Sequence, residues 1–192
     1  MKRAIVLLVC AFVVGVVRAE PDACAARWSV EGLTLGGELG VTRSTLEAAG
    51  AKPGRVTVRA SYFSQPIQRS DKCSFELGGQ GKSPEKAIVD RITFVQPTPQ
   101  GGGDAFLNGW LARWGEPTHR TTRRDDQRVG AISEAWVWLD VGCDIRAVVL
   151  VRREITPRGA ALRYGSVELQ RVSSIVKDLD AFERTADKLG GL

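Results

Sequence analysis

The chain has 192 residues, with 27 Lys or Arg against 22 Asp or Glu, one histidine and a formal net charge of +5. That length suits one domain of ordinary size or two small repeats sharing a core. Lys2, Arg3 and Arg18 carry three of the five excess charges, so the chain beyond residue 19 is only weakly basic and gives a nucleic-acid partner little support.

Lys2 and Arg3 precede an apolar run over 4–17, and Val17-Arg18-Ala19 places small residues three and one before a cut, the pattern of a signal peptide ending at Ala19. The run is short for a bilayer and no second one follows, so the expectation is a periplasmic or secreted chain without stable membrane insertion. Neither Cys10 nor Cys24 follows the Leu-Ala-Gly lead of a lipidated cysteine. The mature chain keeps Cys24, Cys73 and Cys143, for which three pairings exist in an oxidising compartment. Cys73 with Cys143 is the favoured disulfide, because both open predicted strands while Cys24 lies in the N-terminal segment 20–40. With His119 as the only histidine and no metal-type cysteine spacing, neither metal nor cofactor is expected.

Past Trp28 and the glycine-rich "GLTLGGELG", Thr42 can cap a helix over 43–49, which Gly50 ends in a left-handed conformation. "RVTVRASY" alternates Val56, Val58 and Ala60 with polar neighbours, predicting a half-buried strand. Strands over 73–77 and 87–95 follow, closed by Pro97 and Pro99. Between them "ELGGQGKSPE" superficially matches a phosphate-binding loop, but the glycine that motif requires is Glu76, whose carboxylate would repel phosphate; the segment reads as a hairpin loop.

Asp104 then opens the clearest helix, with Phe106, Leu107, Trp110, Leu111 and Trp114 at helical spacing and Gly115 and Pro117 ending it. Strands are predicted over 132–139, 143–151 and 162–172, then an amphipathic helix over 174–189 with Ile175, Leu179 and Phe182 on one side. This order predicts an α+β fold: antiparallel sheet with helices on one face, arranged as two tandem helix-plus-three-strand units (41–98 and 99–192) in one compact domain with a C-terminal helix. "LGVTRSTLEAAG" and "LARWGEP" resemble the helix motifs of small periplasmic and outer-membrane proteins sharing the fold of the beta-lactamase inhibitor protein. That resemblance implies binding to other proteins and no reaction.

The register of one hairpin decides what its tryptophans do. A two-residue loop at Val141-Gly142 would put Trp136 and Trp138 in the core, but β-branched Val141 resists positive φ. A three-residue loop, Asp140-Val141-Gly142, pairs Leu139 with Cys143 and Trp136 with Arg146, turning both indoles away from the helices. One residue of slippage inverts the assignment. The three-residue loop is the expectation, making Trp136, Trp138 and Arg146 a partner-binding surface, since Trp and Arg dominate interface hot spots; the alternative is that the chain's own loops cover both rings. In "HRTTRRDDQR", Arg120, Arg123 and Arg124 (with Arg128) read either as a self-paired solvated loop or as a patch that steers an acidic protein.

Catalytic groups are scarce. His119 has no glycine-flanked serine to serve, and Glu134 and Asp140 on one strand would lie roughly 20 Å apart at 3.3 Å per residue, too far for a glycosidase pair. Trp28, Trp110 and Trp114 read as core. The sequence therefore predicts an exported, non-enzymatic protein-binding module acting by surface occlusion, of inhibitor, immunity or envelope-assembly type; the second reading is a binder of a small ligand or envelope polymer.

Overall fold

The structure, a computed structural model, describes residues 21–70, 73–97, 102–125, 131–156 and 159–176. The predicted signal peptide and most of the predicted C-terminal helix lie outside them; residues 172–176 are helical. Helices α1 (Pro21–Arg27) and α2 (Leu39–Ala48) lead into β1 (Lys52–Pro53), β2 (Thr57–Arg59), β3 (Tyr62–Ser70), β4 (Cys73–Gln80) and β5 (Ile88–Gln96). Helix α3 (Gly102–Trp114) is followed by β6 (His119–Asp125), β7 (Ala131–Asp140), β8 (Ile145–Thr156) and β9 (Gly159–Arg171).

All nine strands form one antiparallel sheet in the order β1-β3-β4-β5-β9-β8-β7-β6, with β2 pairing β3. Its two halves join through β5 and β9, from Arg91 opposite Gln170 to Gln96 opposite Gly165. The α+β class is as the sequence predicts, and helices α1, α2 and α3 pack on one face. The half after α3 holds four strands where three were expected, because β6 is built from the segment read as an arginine-rich loop. The first half differs too: "RVTVRASY" breaks at Ala60, which takes φ 53, and the sheet strand there is β3.

Register fixes the faces. One row runs Ile67, Phe75, Phe94, Val167, Val149, Trp136, and the next Leu77, Ile92, Leu169, Ala147, Trp138, all buried. Onto this face pack Leu39 and Leu46 of α2, Phe106, Leu107, Trp110 and Trp114 of α3, and Trp28 just after α1, as one continuous core. Burying each such side chain contributes about 1.5–3 kcal/mol. α3 lies so close to β9 that a Cβ at Gly165 would stand 2.6 Å from the Phe106 ring. Gly50 and Gly115 take φ 85 and 78, the left-handed endings predicted for α2 and α3. α2 starts earlier than predicted: Glu38 is its N-cap, and Thr42 instead donates its hydroxyl back to Glu38 O at 3.0 Å.

Two expectations are overturned at the β7–β8 turn. Asp140 pairs with Ile145, so the loop is the four residues 141–144, and the left-handed residue is Asp144 (φ 57), not Gly142. Four shares the parity of two, so Trp136 opposes Val149 and Trp138 opposes Ala147, on the helix-covered face. Aspartate tolerates that conformation, and its carboxylate accepts hydrogen bonds from Ser173 N at 2.8 Å and Ser173 Oγ at 2.6 Å, tying the turn to the end of β9.

The disulfide joins Cys24 to Cys143, and Cys73 is a free thiol beside Ser70 Oγ. Cys73 sits on β4, three strand spacings or about 14 Å from β8, beyond the roughly 7 Å Cα separation a disulfide spans. Cys24 is held in reach because the chain after it is anchored: Trp28 Nε1 donates to Asp140 Oδ2 at 2.9 Å, and Asp140 Oδ1 accepts from Cys143 N at 3.1 Å.

Candidate functional site

The sheet divides the residues that the sequence assigns to one surface. Trp136 and Trp138 are 4% and 2% exposed. The Trp138 ring meets Trp114 edge-on at 5.4 Å, and its Nε1 donates to Gly115 O at 3.0 Å. Arg146 lies on the opposite face, where it pairs with Glu168 at 3.1 Å. The proposed trio of anchors is therefore not a surface. Its two rings belong to a five-tryptophan core, since Trp28, Trp110 and Trp114 are buried as well, all three as the sequence predicts.

Arg120, Arg123 and Arg124 stand on the edge strand β6, opposite Trp136, Ser133 and Ile132 of β7. The Arg120 guanidinium lies 5.1 Å from the Trp136 ring and pairs with Glu134 at 3.2 Å. Together with Arg153, Asp104 and Leu107 they line a cleft of about 570 Å³ between α3 and the sheet end. Arg153 contacts Glu134 at 3.4 Å and also pairs with Asp104, so both cations in this cleft are matched by the chain's own carboxylates.

The other face of the sheet carries none of the core helices α1, α2 or α3. Its central row runs Ser64, Gly78, Arg91, Gln170, Arg146, Leu139, one residue from each of β3, β4, β5, β9, β8 and β7. Toward β6 it is apolar: Ala135, Val137, Val148 and Leu150 are half-buried, Leu139 is 48% exposed, and exposed Val141 flanks it in the turn. Toward β3 it is polar and hollowed into a cleft of about 820 Å³ lined by Arg59, Tyr62, Glu76, Asp90, Arg91 and Gln170, among others.

The polar end is built by a register fault. Gly78 opposes Arg91 but Gly79 opposes Val89, leaving Asp90 as the extra residue of a β-bulge. Asp90 is 6% exposed and accepts a hydrogen bond from Ser174 Oγ at 3.1 Å. The Arg91 guanidinium lies 5.6 Å from the Tyr62 ring and pairs with Glu76 at 3.4 Å, and Glu76 Oε1 accepts from Ser64 Oγ at 2.7 Å. Tyr62 crosses β4 at Gly78, where a Cβ would stand 1.9 Å from the phenol oxygen. Alternation in "CSFEL" and "RITF" marks Glu76 and Arg91 as facing away from Phe75 and Ile92. Nothing in the sequence marks the bulge that aims Asp90.

Among the described residues, no three His, Cys, Asp or Glu side chains group as metal ligands, and no helix is long and apolar enough to cross a membrane. The arrangement offers shape, hydrogen bonds and apolar surface. Comparison with family models, curated proteins and solved structures returned no match.

Proposed function

We propose that the chain is an exported, non-enzymatic binding protein that occludes part of a partner protein with the face of its sheet that carries no core helix. The observation that carries this reading is the division of the sheet. All five tryptophans and helices α1–α3 belong to one side, while the other presents Ala135, Val137, Leu139, Val148 and Leu150 beside the Arg146–Glu168 pair. Half-exposed apolar surface edged by charge is the composition of a protein interface. The Cys24–Cys143 disulfide supports an oxidising compartment, and with it export. Arg123 and Arg124 on the adjoining edge strand favour approach by an acidic partner, accelerating encounter more than they strengthen the complex, whereas Arg120 is already paired with Glu134 on the helix side. The likeness of "LGVTRSTLEAAG" and "LARWGEP" to small envelope proteins of the inhibitor-protein fold supports an inhibitory, immunity or assembly role.

The test is affinity capture from the exported fraction of the producing cells, comparing the parent with the double variant Leu139→Asp, Val141→Asp. Both side chains are exposed, so the variant keeps the fold. A protein retained by the parent and lost from the variant supports the reading. Equal recovery by both removes this face from the interface.

A further inference from the structure

We propose that the cleft at the β3–β5 end of the sheet is a binding site for a neutral, hydroxyl-rich ligand, a short glycan of two to three sugar units. The site is separate from the apolar patch near β6 and does not depend on the partner-binding reading. Its volume of about 820 Å³ falls within the roughly 300–1,000 Å³ of small-ligand sites. Its composition is selective. Arg59 and Arg91 are matched in number by Glu76 and Asp90, and Thr57, Ser61, Ser64, Gln80 and Gln170 supply hydroxyls and carboxamides around one aromatic ring, Tyr62.

Internal pairing decides between a charged and a neutral ligand. Arg91 is held by Glu76, Glu76 by Ser64, and the buried Asp90 by Ser174. An ionic ligand would have to displace these contacts and leave a partner uncompensated, which is most unfavourable at the buried Asp90. Sugar hydroxyls, which both donate and accept, can add to the remaining lone pairs and N–H groups without breaking a pair. Tyr62 is the aromatic ring of the lining on which a pyranose can stack; its phenol end rests on Gly78 and the Arg91 guanidinium lies over one side of the ring at 5.6 Å. The wall is the exposed strand β2, which turns back at Ala60 in a left-handed conformation. Both the bulge at Asp90 and this strained residue are local departures from regular sheet that shape the hollow.

Isothermal titration of the mature chain tests this, with the N-acetylglucosamine trimer and maltotriose as neutral probes and a sulfated trisaccharide as the charged comparison. At least one neutral probe should bind saturably, and the sulfated probe at least tenfold more weakly. Tyr62→Ala should weaken the neutral probe tenfold or more, and Arg59→Ala, on an exposed strand where the change leaves folding intact, at least threefold. Leu139→Asp, Val141→Asp should bind it as the parent does, whatever becomes of the protein partner. Failure of both neutral probes overturns the proposal, as does equal binding of the sulfated probe, or parent-like binding by both Tyr62→Ala and Arg59→Ala.

Discussion

Trp138→Ala is the perturbation that separates the observed register from the one the turn sequence suggests. With a three-residue loop the ring would face outward and truncation would leave the melting temperature nearly unchanged. In the structure Trp138 is 2% exposed, packs on Trp114 and donates to Gly115 O. Removing a buried Trp side chain costs about 3–5 kcal/mol in lost burial and cavity. The orphaned carbonyl at the end of α3 adds about 1 kcal/mol. At roughly 2–4 °C per kcal/mol for a domain of this size, the melting temperature should fall by about 8–24 °C. Circular dichroism is the suitable assay, since the substitution removes a fluorophore. Leu139→Ala, the next residue and 48% exposed, is the internal control, with an expected cost of about 0.5 kcal/mol or less. The reasoning is refuted if Trp138→Ala melts within about 3 °C of the parent, or if Leu139→Ala costs as much.

Three further outcomes follow from the same contacts. Reducing the Cys24–Cys143 disulfide, which spans 119 residues, should lower urea-unfolding stability by up to about 5 kcal/mol in the chain-entropy picture, while Cys73→Ser changes nothing under oxidising conditions; a non-reducing peptide map that links Cys73 contradicts the pairing. Asp140→Ala strands the buried Trp28 Nε1 and should cost about 1–3 kcal/mol in chemical denaturation, whereas an exposed acidic residue such as Glu47 should tolerate the same change. Gly165→Ala drives a methyl into the Phe106 ring and should destabilise by about 1–3 kcal/mol; combined with Phe106→Leu it should cost measurably less than the sum of the two.

The sequence displays periodicity better than it displays turns. α3 is legible because Phe106, Trp110 and Trp114 recur on one stripe and Gly115 ends it, and β7 because apolar and aromatic residues run unbroken from Ala135 to Leu139. Orientation of that strand is not legible. It rests on whether a loop has three residues or four, and the determinant is Asp144, whose left-handed backbone is stabilised by Ser173, 29 positions away. β6 is hidden because its side chains are charged or hydroxylic: an edge strand needs hydrogen bonds from only one neighbour and little apolar content. β3 is hidden by Pro66, which usually argues against a sheet interior. The cysteine pairing fails for a similar reason, since what brings Cys24 into reach is the Trp28–Asp140 hydrogen bond, a contact across 112 positions. Of the residues assigned to a binding surface, Arg120 and Trp136 do meet, but as a stacked pair beneath α3. The two candidate sites that replace them, one around Leu139 and one around Tyr62, emerge only once the strands are laid side by side.

Site-specific photo-crosslinking tests the central claim most directly. A photoreactive residue is placed at Leu139, which faces away from the core helices, or at Val41 on the exposed side of α2, and each variant is irradiated in the exported fraction. The account predicts a discrete protein adduct from Leu139 and none from Val41. An adduct from Val41 alone, or equal adducts from both positions, would contradict it.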